Sequence, residues 1–348
     1  MTQANGITCV CVSVVYFVER RMSTVLKWGL LVFLPFLSFS VWSFEPIGTP
    51  DREEIEYPED EAPSQAEIDL GKMLFFDTRL SINESQSCAT CHNPDLGFSD
   101  GVEKSMGAMG KRVGRNAPHI YNLAWNSLHF WDGRAASLEQ QALGPIEAAG
   151  EMNMPLSTLM PRLKAVPYYQ KEFTKIYGKT AITKDSIGRA IAAFERSIIS
   201  DNAPFDQFMA GDKAAMSPSA IRGMDLFTGK AGCVECHDGG NFTDNSFHNI
   251  GVKGDDLGRG PIANDASMNK TFKTPGLRNI TLSGPYMHDG SIATIEDVVR
   301  FYNRGGDMKD GVDKLVKPLD LTEQEINDVV AFMGALLDPV TIVRPKLP

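Results

Sequence analysis

Cysteine, histidine and positive charge are all in short supply in this chain of 348 residues, which has six Cys, six His, and 34 Lys and Arg against 44 Asp and Glu. The formal charge of −10 argues against a basic surface that grips a nucleic-acid backbone, so no nucleic-acid partner is expected and any charged partner should be cationic. So few cysteines exclude a general disulfide framework. Runs that alternate apolar and polar residues as strands do are also rare. What is present is ordinary: 43% hydrophobic residues, 31 Gly and 20 Pro over about two domain lengths, enough for a sizeable core and unlike a disordered or collagen-like chain.

The apolar stretches near the amino end cover 6–18 and 28–44, separated by Glu19, Arg20 and Arg21, with a second methionine at Met22. Read from Met22 as the true start, Lys27 supplies a charged region, Gly29 to Phe39 an apolar run, and Ser38 and Ser40 a small-residue cleavage site. Residues 1–44 are therefore expected to be a signal for export. Pro35 and the lack of an A-x-A site keep an uncleaved membrane anchor as the alternative. Cys9 and Cys11 fall in this segment and receive no role. Taking its three basic residues and one acid away leaves 31 against 43, a charge of −12. Part of that acidity is the run Asp51 to Glu61, with seven acids and one Arg, so 45–62 is expected to be a solvated acidic linker.

From Pro63 onward the pattern is of helices joined by long glycine-rich loops, so the expected class is mostly α. Ser64 with Glu67, Ser137 with Gln140, and Thr322 with Glu325 have capping-box spacing. Residues 183–199 and 322–337 carry apolar side chains at helical spacing. The chain also repeats itself. Gly71 to Phe75, Cys88 to His92 and Phe98 to Asp100 recur as Gly223 to Phe227, Cys233 to His237 and Phe242 to Asp244, with 145 residues between Cys88 and Cys233. Two related domains are expected, 63–205 and 206–348.

The repeated motif is C-x-x-C-H: Cys88, Cys91 and His92, then Cys233, Cys236 and His237. This is the attachment signature of c-type haem, in which two thiols bond the porphyrin vinyl groups and the adjacent imidazole becomes an axial iron ligand. A zinc site would need two further ligands nearby, and a thioredoxin-like redox pair would need a βαβ setting. After His92 no His occurs before His119, and the loop offers only Met106 and Met109 as soft ligands. The first haem is thus expected to keep a position open for peroxide.

These motifs, with Phe130-Trp-Asp-Gly-Arg-Ala135, Gly144 to Ala148 running to Glu151-Met152, Phe242 to Gly251, and Leu277-Arg-Asn to Pro285-Tyr-Met-His-Asp-Gly290, resemble the bacterial di-haem cytochrome c peroxidase and MauG family. The match runs from about 63 to 338. The resemblance implies a periplasmic enzyme with two related c-type cytochrome domains, in which one haem reacts with hydrogen peroxide and the other relays or stores oxidising equivalents. It places Trp131 between the haems. It makes Glu151 the acid-base residue of O–O cleavage and Gln141 the polar residue beside it. By sequence alone Glu147 is an equal candidate for that acid, and Trp131 reads more readily as a core aromatic with its N–H satisfied.

The resemblance implies further that the outer ligand of the second haem sits twelve residues after Gly290, where peroxidases of the family have Met and this chain has Tyr302. Tyrosine is the MauG-like choice, a hard anionic donor that favours ferric and higher states. Met308 is the rival ligand. The missing loop His implies reaction in the diferric form, without prior reduction. A calcium ion is implied on Asn116, Ser283 and the carbonyl of Pro285. His248 and His288 are expected to be structural or near haem propionates. Expected partners are hydrogen peroxide and a small cytochrome c, a cupredoxin or a protein substrate, with a homodimer as a further expectation. Three functions follow: a MauG-like oxidase using a high-valent haem pair, an ordinary cytochrome c peroxidase, or a non-catalytic di-haem electron carrier.

Overall fold

A computed structural model of the chain describes residues 47–58 and 61–348. The export segment expected over 1–44, with Cys9, Cys11 and Met22, lies outside the described residues. Among those described, no helix is long and apolar enough to cross a membrane.

The mostly α expectation holds. Eleven helices occur among the described residues: α1 Gln65–Phe76, α2 Cys88–Cys91, α3 Leu138–Glu147, α4 Leu156–Lys164, α5 Pro167–Tyr177, α6 Lys184–Arg196, α7 Pro204–Met209, α8 Pro218–Thr228, α9 Gly260–Ala263, α10 Ile295–Asn303 and α11 Glu323–Ala335. The strands β1 Phe247–His248 and β2 Phe272–Lys273 pair antiparallel, with Phe247 opposite Lys273 and His248 opposite Phe272. Helix starts follow their caps. Ser64 accepts from the Glu67 amide, and Thr322 with Glu325 closes a full capping box. Ser137 accepts from the Gln140 amide, but the Gln140 side chain takes the Ala136 amide (2.9 Å) and leaves the predicted box half made.

The sequence repeat is a repeat of packing. In the first half α1 crosses α6, and a Cβ at Gly71 would fall 1.7 Å from the Ala190 carbonyl oxygen. In the second half α8 crosses α11, and a Cβ at Gly223 would fall 1.9 Å from the Asp328 carbonyl oxygen. Each crossing is flanked by an edge-to-face aromatic pair, Phe75 with Phe194 (5.1 Å) and Phe227 with Phe332 (5.3 Å). Glycine is required because the backbones touch.

One core gathers Leu74, Ile146, Phe173 and Ile187, and another gathers Phe205, Phe242 and Phe332. A third, built on Phe75, Phe98, Tyr121 and Ile198, receives Val340, Ile342 and Leu347 from the end of the chain. The last residues therefore lean on the first half, and the Arg344 guanidinium donates to Asn93 (2.7 Å) and Asp95 (2.6 Å).

The acidic segment departs from the solvated linker expected of it. Glu53, Glu54 and Glu56 are exposed, yet Ile47 and Ile55 are buried. The segment is tied down by Thr49 donating to Asp206 (2.9 Å), Arg52 pairing with Asp201 (2.6 Å) and the Trp125 indole donating to the Asp51 carbonyl (2.8 Å). Charge solvates one face while two isoleucines anchor the other.

Candidate active site

The single turn α2 carries Cys88 and Cys91 and ends on His92, whose amide donates to the Cys88 carbonyl (2.9 Å). The chain then turns back so that the His92 Nδ1 meets the carbonyl of Phe98 at 3.2 Å. The second copy does the same with His237 and Phe242, at 2.9 Å. Both phenylalanines sit at φ +57°, the left-handed conformation that aims their carbonyls at the imidazoles. A carbonyl can only accept, so a proton on each Nδ1 satisfies these bonds and leaves the Nε2 lone pair able to ligate a metal. Burial lowers the pKa of both imidazoles, which keeps them neutral and able to bind metal.

Each motif lines its own cavity: Cys88, Cys91 and His92 the first, Cys233, Cys236 and His237 the second. No disulfide joins the cysteines of either motif. Burial pushes the Cys88 thiol well up and Cys233 to about 12. A thioredoxin-like redox pair needs a βαβ setting, and among the described residues the helical fold around both motifs does not provide one. The zinc reading fails as well. Among the described residues the one group with ligand spacing is Cys236, Asp244 and His248. Both His248 nitrogens are already engaged, Nε2 by Asp244 (2.9 Å) and Nδ1 by Asp313 (2.7 Å). A neutral imidazole with its proton fixed on Nδ1, beside two thiols on an apolar cavity wall, fits a covalently attached haem in each half.

The cavities meet. Asn116, Pro118, His119, Trp131, Lys273 and Pro275 line both. Trp131 thus lines both cavities, and its indole N–H donates to the Asn116 carbonyl (3.0 Å).

On the first cavity wall lie Glu151 and Gln141. Burial raises the Glu151 pKa, and Arg134 opposes the rise. The Gln141 Oε1 is buried without a hydrogen-bond partner, an acceptor aimed into the site. Glu147, equal to Glu151 in the sequence, is exposed and off the wall. Of the two loop methionines Met106 reaches the rim, whereas Met109 is exposed and off it.

The repeat gives the site its asymmetry. Ser137 caps α3 and Thr294 caps α10, and eight residues beyond each cap stand Pro145 and Tyr302. Both line their cavities, but proline has no side-chain donor atom and tyrosine has a phenol oxygen. Tyr302 is buried enough that its pKa is pushed well above the ordinary phenol value. Met308 does not line the cavity.

Asn116, Ser283 and Pro285 all line the second cavity. The Asn116 amide nitrogen is turned toward the Val102 (3.1 Å) and Glu103 (3.3 Å) carbonyls, and the Ser283 hydroxyl donates to Ile280 (3.2 Å). His288 stacks on Phe272 at 3.7 Å and lines the second cavity. Three residues of this region had no signal in the sequence: Lys273, and the buried Glu195 and His129 on the first cavity wall. None lies in a motif with recognisable spacing, and only the fold reveals that they face a cavity.

Two related helical halves, each presenting a C-x-x-C-H wall to an apolar cavity and sharing a tryptophan, define a di-haem c-type cytochrome. The comparisons agree. The pattern of the family described as "Di-haem cytochrome c peroxidase" matches residues 65–214. The methylamine utilization protein MauG of Methylorubrum extorquens is 44% identical over 301 residues, 85% of each chain. The cytochrome c551 peroxidase of Nitrosomonas europaea is 35% identical over 294 residues, 82% of this chain and 85% of that protein. A crystal structure titled as a MauG-like protein associated with microbial copper homeostasis superimposes with a TM-score of 0.77 at 30% identity, covering 86% of this chain and 95% of that one. The chain belongs to the di-haem cytochrome c peroxidase and MauG family, and it is a peroxidase-type oxidoreductase.

Proposed function

We propose that this protein is an exported, periplasmic enzyme of the MauG-like branch, which uses hydrogen peroxide to oxidise a protein substrate or a small redox protein. Residues 63–205 form the peroxide-reactive half and 206–348 the electron-transfer half. Bound haem would supply each half with a redox-active iron, the first for peroxide chemistry and the second for storing or relaying oxidising equivalents, as the MauG-like reading requires.

The protein residues do the rest. His92 Nε2 and His237 Nε2 ligate the two irons, and the Phe98 and Phe242 carbonyls hold each ring in the ligating tautomer. Glu151 takes the proton from the near oxygen of peroxide and returns it to the leaving oxygen, so that water departs. Gln141 offers its unpartnered carbonyl to orient the substrate. Trp131 couples the cavities, its ring on both walls and its indole fixed by Asn116. Tyr302 would hold the second iron through its phenol oxygen, which lines the second cavity. The oxygens of Asn116, Ser283 and Pro285 suit a calcium ion that stiffens this wall.

The observation that carries the reading is the pair Pro145 and Tyr302: at equivalent places of the repeat one half cannot ligate and the other can. An ordinary cytochrome c peroxidase is the second reading, favoured by the similarity to the c551 peroxidase. The test is to mix hydrogen peroxide with the diferric holoprotein in a stopped flow. An immediate optical change supports the reading, and silence until one haem has been reduced contradicts it. Fast discharge of that state by reduced cytochrome c favours the ordinary peroxidase.

A further inference from the structure

Lys273 ends β2 and is 8% exposed. Its amide donates to the Trp131 carbonyl at 2.8 Å, and its side chain stands where the two cavities meet. The ammonium donates to the Thr274 carbonyl at 3.1 Å and, at longer range, to the Asn245 amide oxygen at 3.3 Å. Both acceptors are neutral. The carboxylate whose charge it feels most is Asp244, which is already bonded to His248 (2.9 Å).

Two other cations among the described residues, the buried Arg278 and the half-buried Arg115, are matched with acids. Arg278, 1% exposed, holds Asp206 with two hydrogen bonds of 2.8 and 2.9 Å. Arg115 grips Asp256 with two bonds and Asp132 with a third. An ammonium taken out of water without an anion is costly, and burial draws the pKa of Lys273 down to about 8. The fold thus spends a buried lysine at a place where its own side chains offer no anion. Haem brings carboxylates of its own, at the edge of the macrocycle opposite the vinyl groups that the cysteines hold. In both halves the cysteines fix the vinyl edge, and Lys273 is the ammonium common to both cavities.

We propose that Lys273 is the shared counter-charge for the carboxylates of both haems, a positioning residue that ties the two irons electrostatically beside Trp131. The inference rests on the di-haem reading above. One cation between two irons stabilises the reduced form of each, so its removal lowers both potentials.

Anaerobic spectroelectrochemical titration of the holoprotein, without peroxide, tests this in the wild type, Lys273→Met and Lys273→Arg. Methionine keeps the length and loses the charge, and both midpoint potentials should move down together; arginine should hold both near wild type. A fully loaded Lys273→Met protein in which neither potential moves, or only one does, overturns the proposal. If that variant does not take up both haems, resonance Raman of the wild type decides. The propionate bending modes of both haems should show hydrogen bonding to a cation, and one unperturbed haem rejects the idea. Because no peroxide is present, failure here leaves the peroxide chemistry standing, and a protein inert to peroxide would leave the potentials informative.

Discussion

Glu147 and Glu151 stand four residues apart, and the fold separates them into an exposed acid and a cavity acid. Composition and local pattern treat the two alike, because what distinguishes them is the chain reversal after α3, where the Met152 amide closes on the Pro145 carbonyl (3.1 Å). Glu151→Gln should keep both haems and slow the reaction with peroxide by about a hundredfold or more, as loss of a general acid-base does. Glu147→Gln should leave the rate unchanged. Burial raises the Glu151 pKa, so the base form is lost, and the rate falls, at a pH above the ordinary glutamate range; a pH profile of the bimolecular rate reads this directly.

His248 is the opposite case, a residue held by carboxylates on both ring nitrogens. Asp244 is the largest cause of its pKa being raised to about 11, with Asp313 on its other nitrogen. The folded value lies above the unfolded value of about 6.5, so this stabilisation is complete below about pH 6.5 and is lost as pH rises toward 11. His248→Gln leaves two partly buried carboxylates facing each other and should cost about 2 kcal/mol in thermal unfolding at pH 6, with a smaller loss at alkaline pH.

At the scale of elements, helices were the legible part. The periodic stretch 183–199 is α6 Lys184–Arg196, and 322–337 is α11 Glu323–Ala335, each started by the threonine before it. Glycines 71 and 223 were visible as a repeat, but the reason for them was not, since a helix crossing leaves no local pattern. Gly71→Ala or Gly223→Ala should destabilise the holoprotein by about 3 kcal/mol or more, because the clash is with backbone and neither helix can yield alone. Thermal unfolding of the purified variants reads this, and a loss below about 1 kcal/mol would contradict so tight a crossing. The ligand question also lies at this scale. Helical spacing alone reads Tyr302 as one more apolar-face residue of α10, with Ile295, Val298 and Val299. Counted from the helix caps, Tyr302 stands eight residues past Thr294 as Pro145 stands eight past Ser137, and each lines the cavity of its own half. Met308→Leu should therefore leave the absorption and magnetic spectra of the second haem as they are.

Over the whole molecule the duplication was readable and its closure was not. Val340, Ile342 and Leu347 return to the first half, and the acidic amino-terminal segment is pinned by Ile47 and Ile55, both too short in sequence to announce a docking. The excess of acids is a property of the whole chain, with a formal charge of −10. Encounter with a basic redox donor should be steered by that field and slow as salt shortens its reach, by tenfold or more between low ionic strength and about 0.5 M. A donor whose second-order rate ignores salt would not be the cationic partner expected. The central claim, that a duplicated haem unit has been divided into an open site and a tyrosine-ligated site, meets its most direct test in electron paramagnetic resonance of the diferric protein beside Tyr302→Phe. One high-spin and one low-spin ferric signal are predicted, with only the low-spin signal altered by the substitution. Two low-spin signals in the wild type, or a low-spin signal that survives Tyr302→Phe unchanged, would contradict it.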